Sequence, residues 1–583
     1  MNGEELLLPK NKMNPFIEIS GPIDARAANK AQKEEAPLPG SFNMSDYKQT
    51  CAEFTWEVPP SYNFARDVLD RWAADPDRLA LWWVDDHGNE DKKTFRELSD
   101  AAQRFCNVLE AQGVGKGDVV VVILPRLVEW WIIHIACLRM GAVISPGTMQ
   151  LTAKDIRFRL QAADGRCIIT TNAVAPRVDE IYSECPTMTS RILIGGEREG
   201  WIDGHRALSE AHDRFPAADT AADDNAILYF TSGTTGYPKM TVHTHASYPI
   251  GHTVTGRYWL DLRPEDLHWN LSDTGWAKAA WSSFFGPWIC GAAVFIHHSD
   301  RFDPKKTLQL LDQYPITTFC GAPTIYRMLV LEDLKAYRFA HLRHCVGAGE
   351  PLNPEVIDTW KEATGLTIRD GYGQTESVLL VGSFPCLEPR IGSMGKPSPG
   401  FDIQVIDDMG NILPPHKEGD IAVRVRPHRP VGLFKEYWRD PEKTAAVFRG
   451  DWYLTGDRAY RDEEGYLWFV GRADDVILSA GYRIGPFEVE SALLEHEAVA
   501  ESAVVSSPDE VRGEVVKAFV VLRPGFMPSD QLANELKEHV KEVTAPYKYP
   551  RLIEFIPSLP KTVSGKIRRV ELRNREWKEH RNS

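Results

Sequence analysis

None of the nine cysteines stands in a C-x-x-C pair; they are scattered, as Cys51, Cys137, Cys290, Cys320 and Cys345 illustrate. That spacing argues against a zinc site or a disulfide frame and fits reduced, buried thiols. No local base accompanies any of them, as a catalytic cysteine would need. Positive charge is also in deficit, with 67 Lys and Arg against 82 Asp and Glu for a formal charge of -15. A nucleic-acid coat shows the opposite balance, so no nucleic-acid partner is expected. The charge favours solubility and leaves the number of subunits open. A long uninterrupted apolar run is missing too. The most hydrophobic stretch, 119–144, is broken by Pro125, Arg126, Glu129 and Arg139. It reads as a buried strand and helix rather than a span, so no integral membrane association is expected. The opening Met1-Asn2-Gly3-Glu4-Glu5 lacks a basic-then-apolar signal pattern, and the expected location is cytoplasmic. Internal repeats and low-complexity tracts are not apparent.

What is present is an ordinary globular composition, 43% hydrophobic and 26% charged, in a chain of 583 residues. That length implies two to four domains. Residues 1–60 are polar and mixed, and read as an extension packed on the body. From about residue 65 helices alternate with short apolar strands, among them 119–124, 167–170, 192–195, 292–296 and 317–320. This rhythm predicts an α/β fold of helix-covered sheets. Past Arg424 the texture turns to short strands, turns and glycines, a β-rich subdomain closing the 61–472 body. A boundary near residue 472 separates it from a compact α+β unit over 473–583, with helices near 488–494 and 532–540.

Two regions carry phosphate and purine chemistry. The strand 226–230 runs into Thr231-Ser232-Gly233-Thr234-Thr235-Gly236-Tyr237-Pro238-Lys239. Gly233 and Gly236 let successive backbone N–H groups converge on an anion. The hydroxyls add donors and Lys239 adds a point charge. The spacing is not that of a Walker P-loop. Downstream lie Gly347-Ala348-Gly349-Glu350-Pro351-Leu352 and Asp370-Gly371-Tyr372-Gly373-Gln374-Thr375-Glu376-Ser377. Glycines admit a flat ligand, Tyr372 can stack on it, and Glu376 suits Mg²⁺ held with phosphate oxygens. Asp457, expected at the end of an aromatic-rich strand, can accept two hydrogen bonds from a ribose diol. Arg472 can reach phosphate or ribose from beside the boundary.

Together these residues resemble the adenylate-forming superfamily of acyl-CoA synthetases, non-ribosomal-peptide adenylation domains and luciferases, and within it the medium-chain acyl-CoA synthetases. The matching stretches are 229–239, Thr274-Gly275-Trp276-Ala277-Lys278, 347–351, 372–376, Thr455-Gly456-Asp457, Gly471-Arg472-Ala473-Asp474-Asp475, Ser479-Ala480-Gly481-Tyr482-Arg483 and 561–566. They follow the family order from about residue 60 to 575. The resemblance implies a large domain holding ATP and a carboxylic acid, and a small mobile C-terminal domain. It implies that Thr231, Ser232, Gly233, Thr234, Thr235, Gly236, Lys239 and Thr375 surround the phosphates and that Glu376 binds Mg²⁺. Gly349, Glu350, Pro351, Asp370, Gly371, Tyr372 and Gln374 would form the nucleotide side. Asp457 would hold ribose with help from Arg472, and Asp474 would be the hinge. Lys566 would be the adenylation lysine, Gly481 would line the path of the CoA thiol arm, and Arg483 would meet CoA phosphate.

The implied reaction joins a carboxylate to the α-phosphate of ATP, then passes the acyl group to CoA, with Lys566, Glu376, Thr234 and Arg472 as the catalytic set. Acetate-specific relatives carry tryptophan where this chain has Gly373, which implies an acid larger than acetate: medium-chain, branched, alicyclic or aromatic. Trp276, Gly373, Val378 and Leu379 are the candidate pocket, and Gly373→Trp is expected to shift preference toward acetate. Loading of a separate carrier protein and a nucleotide-binding regulator without turnover are the competing readings.

Overall fold

The computed structural model describes residues 42–231, 238–350, 352–473, 475–479, 482–509, 512–561 and 567–582. From residue 42 to about 60 the chain runs along the body. Tyr47 Oη donates to Pro397 O at 2.8 Å and Trp56 Nε1 to Gly400 O at 2.9 Å.

Two mainly parallel sheets form the body. The nine-stranded sheet runs Lys396–Pro397, Val381–Gly382, Ile368–Tyr372, His344–Ala348, Thr318–Gly321, Leu267–Leu271, Ala293–His298, Leu79–Asp85 and Glu90–Thr94. The eight-stranded sheet runs Glu436–Tyr437, Lys239–Thr244, Asn225–Thr231, Val143–Pro146, Val119–Ile123, Cys167–Thr170, Ser190–Leu193 and Ile202–Asp203. Strands buried on both faces need apolar residues at every position. Val119–Ile123 shows this: Val120 and Val122 enter one core, while Val119, Val121 and Ile123 enter another. The first core also takes Val294 and Ile296 from the other sheet.

The stretch that mimicked a membrane span is that strand followed by the helix Val128–Met140, buried at every position but Glu129. Gly141 ends it at φ +77, where a Cβ would be strained. Its one buried cation, Arg139, donates to Asp70 Oδ1 at 2.5 Å and Ser99 Oγ at 3.2 Å. Among the described residues no helix is long and apolar enough to cross a membrane.

A five-stranded antiparallel sheet follows, with Ile403–Ile406, Gly419–Arg424, Trp452–Arg461 and Phe448–Arg449 in line and Leu467–Arg472 paired to Trp452–Arg461. Here the structure departs from the sequence reading. Asp457 lies in the middle of its strand, directly opposite Arg472, and not at its end. Gly456 at φ +75 and a register shift between Arg458 and Ala459 bend the strand there, a bulge that local patterning does not disclose.

The C-terminal sheet orders Tyr482–Ile484, Ile477–Ser479, Gly513–Leu522 and Val499–Asp509, with Leu552–Phe555 paired to Gly513–Leu522. Helices Pro486–Leu494 and Asp530–Val543 cover it, the first two residues longer than expected at its start, the second two longer at its start and three at its end. It meets the body at a glycine contact: a Cβ on Gly485 would lie 2.1 Å from Val470 O, and one on Gly471 would lie 3.3 Å from Pro486 Cδ. Asn353 Nδ2 also donates to Ser491 Oγ at 3.2 Å.

Inside this unit, Glu490 is buried and bidentate with Arg569, at 2.8 and 2.6 Å, and accepts Val504 N–H at 2.8 Å. Removing one partner of a buried pair strands the other charge. Glu490→Ala is therefore expected to destabilise the C-terminal unit by about 3–5 kcal/mol. Urea melts followed by proteolysis at sites beyond residue 473 would read this, and an unshifted midpoint would refute it.

Candidate functional site

The C-terminal ends of the parallel strands in both sheets open on one region, the usual place for a ligand in α/β sheets. The phosphate hairpin begins in the eight-stranded sheet, where Thr231 and Lys239 face each other across the ladder. Ser232, Gly233, Thr234, Thr235 and Gly236 lie outside the described residues. Lys239 Nζ stands 5.1 Å from the ring centroid of Tyr437, on the neighbouring strand. Tyr437 Oη donates to Glu376 Oε1 at 2.9 Å. The strand pairing thus brings Lys239 and Glu376 to opposite ends of one tyrosine.

The 375–376 backbone is pinned from two sides. Thr375 O accepts from Tyr248 Oη at 2.6 Å and from His243 Nε2 at 2.7 Å, while Glu376 O accepts Phe434 N–H at 2.8 Å. Because His243 Nε2 must donate there, its Nδ1 accepts from Ser247 Oγ at 2.9 Å. Burial lowers the His243 pKa to about 3, so the ring stays neutral. No hydrogen bond is made to Glu376 Oε2 among the described residues. Among the described residues no group of three or more His, Cys, Asp or Glu side chains is arranged to hold a metal ion.

On the nucleotide side, His344–Ala348 delivers Gly349 at φ +110. Glu350 is fixed by Arg327 at 3.0 Å, and Pro351 lies outside the described residues. Lys278 Nζ ties two strand ends together, donating to Ala348 O at 2.7 Å and Gly321 O at 3.1 Å. Asp370 is half-buried, and desolvation raises its pKa to about 7. Its carboxylate accepts Gly371 N–H at 2.8 Å, while its carbonyl accepts Trp259 Nε1–H at 3.1 Å. It anchors the turn. A Cβ on Gly371 would lie 2.4 Å from the Trp259 ring, so glycine is required there.

Tyr372, expected to stack on a base, commits its hydroxyl to Asp457 Oδ2 at 2.6 Å. Gln374 Nε2 donates to the same oxygen at 2.8 Å and to Thr455 O at 2.8 Å, and its Oε1 accepts from Tyr453 Oη at 3.1 Å. Arg472 Nε lies 3.4 Å from Asp457 Oδ1, with its side chain half exposed. Burial and then the neighbouring Asp457 carboxylate raise the Tyr372 pKa, keeping it a donor.

The candidate acyl residues also meet. Val378 and Leu379 are fully buried. A Cβ on Gly373 would lie 2.3 Å from Trp281 Cη2 and 2.5 Å from Val378 O, so the tip of Trp281 already fills the space beside this glycine. Trp281 Nε1 donates to Tyr248 Oη at 3.3 Å. Trp276 begins the same segment, and its Nε1 is buried with no partner among the described residues.

Asp474, Gly481 and Lys566 lie outside the described residues, as does the side chain of Arg483 on its short strand. Around them, Asp475 pairs with Arg573 at 2.9 Å, and Lys561 forms a backbone bridge with Ile567. Sequence reasoning missed Tyr248, His243, Lys278, Trp281 and Tyr437. Lys278 sat inside a quoted stretch, and Trp281 lies five residues past Trp276; the others carried no local signal.

Residues 69–438 match the AMP-binding enzyme family and residues 488–566 match the AMP-binding enzyme C-terminal domain. Human acyl-coenzyme A synthetase ACSM3, a mitochondrial protein, is 53% identical over 563 residues, covering 95% of each chain. The crystal structure of the anthranilate CoA ligase AuaEII with anthranoyl-AMP superposes with a TM-score of 0.82 at 31% identity, over 89% of this chain and 98% of that one. A benzoate CoA ligase from Burkholderia xenovorans LB400 gives 0.78 at 29% identity, over 88% and 100%. One expectation is corrected by these relatives. The human ACSM3 protein and its rat and mouse counterparts are mitochondrial, which overturns the cytoplasmic placement. An acidic composition without a secretory signal is shared by cytosolic and organelle-matrix proteins, so it could not separate the two. With the two models matched in order along the chain and identity sustained over nearly all of it, this protein belongs to the AMP-binding, adenylate-forming enzyme family.

Proposed function

We propose that the chain is an AMP-forming acyl-CoA synthetase acting on a carboxylic acid larger than acetate, of the medium-chain, branched, alicyclic or aromatic class. The observation that carries this reading is the 372–376 segment. One end fixes Asp457 through Tyr372 and Gln374, and the other presents Glu376 beside Tyr437 and Lys239. A diol acceptor, Asp457, and a phosphate-side carboxylate, Glu376, are thus linked through one short segment, as an adenylate needs. The relatives' compartment carries over as a mitochondrial location.

In the first step a carboxylate oxygen of the acid attacks the α-phosphorus of ATP. The bond to the β-phosphate oxygen breaks and pyrophosphate leaves. Asp457 accepts from the ribose hydroxyls, and Arg472 lies against it to reach ribose or phosphate. The loop 231–239 cradles the phosphates with N–H and hydroxyl donors. Glu376 would hold Mg²⁺, and the ion would supply neutralisation of the charge that gathers on pyrophosphate. Lys566 bridges carboxylate and α-phosphate as negative charge builds. In the second step the CoA thiolate attacks the acyl carbonyl carbon and AMP leaves. Lys566 has no work there. A rotation of 473–583 about Asp474 removes it and brings Gly481 and Arg483 to the CoA path.

A panel of acids from C2 to C10, with branched, alicyclic and aromatic members, tests the reading. AMP release should require both acid and CoA at steady state, with acetate poor; CoA-independent turnover or an acetate optimum would overturn it. Lys566→Ala should abolish adenylate formation yet keep thioester formation from supplied acyl-AMP, and equal loss of both would exclude the two-step division of labour. The Trp281 contact changes what Gly373→Trp should do. Any side chain at 373 must first displace Trp281, so activity should fall on every acid rather than shift cleanly to acetate. Trp281→Ala should raise the relative kcat/KM for longer or bulkier acids by about tenfold, the scale of two methylene-sized contacts. An unchanged acid profile in both variants would remove this pair from the pocket.

A further inference from the structure

One buried group beside the acyl residues has no place in this scheme. His252 is fully buried, and its ring lies against Tyr248, Trp281 and Phe285 at centroid distances of 4.7, 5.4 and 6.0 Å. The residues around it adjoin the candidate acyl residues. Trp281 covers Gly373, and a Cβ on the adjacent Gly251 would lie 2.9 Å from Val378 Cγ1. Its hydrogen-bond partner Thr255 in turn receives the N–H of Leu379 at 3.4 Å.

The imidazole is held by one nitrogen only. Nδ1 stands 3.0 Å from Thr255 Oγ1, while Nε2 has no hydrogen-bond partner among the described residues. Thr255 Oγ1 accepts the Leu379 N–H, and its own hydrogen has no acceptor among the described residues other than His252 Nδ1. That hydroxyl therefore donates, Nδ1 accepts, and the proton of the neutral ring sits on Nε2. Burial holds the ring's pKa well below its ordinary value, which keeps it neutral. The result is an N–H donor, lying against aromatic rings and unmatched by an acceptor among the described residues. An unmatched buried donor is costly to the free enzyme, and a ligand oxygen that meets it recovers that cost.

We propose that His252 is a specificity-determining residue whose Nε2–H hydrogen-bonds an acceptor oxygen within the acyl group, so that the favoured acids carry a carbonyl, ether or hydroxyl oxygen in place of a plain methylene. The inference rests on the synthetase reading and names the substrate class of the same site. It draws on an aromatic wall for size and on one donor for polarity. A site built to pair a hydrogen bond discriminates far more sharply than an apolar wall that differs by one methylene.

The test compares heptanoate with 4-, 5- and 6-oxoheptanoate, scoring kcat/KM for AMP formation with CoA in the wild-type enzyme and in His252→Phe and His252→Gln. The wild type should favour the oxo acid at one position of the series. His252→Phe should lower that oxo-to-alkyl ratio by about tenfold, mainly through KM, and His252→Gln, which keeps an N–H donor, should restore part of it. A merely structural histidine would lower both acids together and leave the ratio alone. Preference of the wild type for heptanoate over every oxo acid overturns the proposal without reference to any variant, as does an unchanged ratio in His252→Phe. Failure of every acid to yield AMP would instead strike at the synthetase reading, and this inference would fall with it.

Discussion

The carboxylate of Asp457 fastens two sheets together. Tyr372 and Gln374 reach it from the end of the strand Ile368–Tyr372 in the nine-stranded sheet, and Arg472 faces it from within the five-stranded one. The rest of the site depends on this tie. Tyr372 and Gln374 belong to the segment that ends in Glu376, so fixing Asp457 also fixes the distance from the nucleotide side to the phosphate side. Arg472 is the last residue of its strand before the C-terminal unit begins. A charge-assisted acceptor shared by several donors is among the stronger polar contacts a protein can make. Here it ties the 372–376 segment to the strand that leads into the C-terminal unit.

A second layer of constraint comes from neutral aromatic and imidazole groups behind that segment. His243, Tyr248 and Ser247 form a chain that ends on the Thr375 carbonyl, and Tyr437 closes on Glu376 from the far side. None of these groups need change protonation. Burial lowers the pKa of His243 and His252 and raises those of Tyr248 and Tyr437, so each keeps its donor or acceptor role across the physiological range. The charged residues at the front, Lys239, Glu376 and Arg472, are thus positioned by a wall that does not itself titrate.

Much of this was legible in the residues alone. The strand 119–123 and the helix after it were plain because burial on both faces demands unbroken apolar positions. The anion-binding reading of 231–239 rests on hydroxyls, glycines and a lysine at a strand end, and most of that loop lies outside the described residues. The bend at Asp457 was not, since a bulge is decided by the partner strand. Trp281 was not either, because its meaning comes from Gly373, 92 residues further along the chain. The role of Tyr437 needed the pairing of Glu436–Tyr437 with Lys239–Thr244, a register that no local pattern encodes. Compartment was misread for a different reason: bulk charge and hydropathy describe the solvent a protein tolerates, and cytosol and organelle matrix are the same solvent.

The contact between Val470–Gly471 and Gly485–Pro486 has a consequence for how the two parts can turn. Most domain contacts interlock, with side chains of one face seated in gaps of the other, and each seating defines an angle. At this junction Gly485 presses bare backbone onto the Val470 carbonyl, and Gly471 offers Pro486 no side chain to catch. A surface without knobs has no preferred notch. The angle between the parts is then left to contacts at the rim, such as Asn353 with Ser491 and Glu355 with Arg523, and to whatever ligand lies between them.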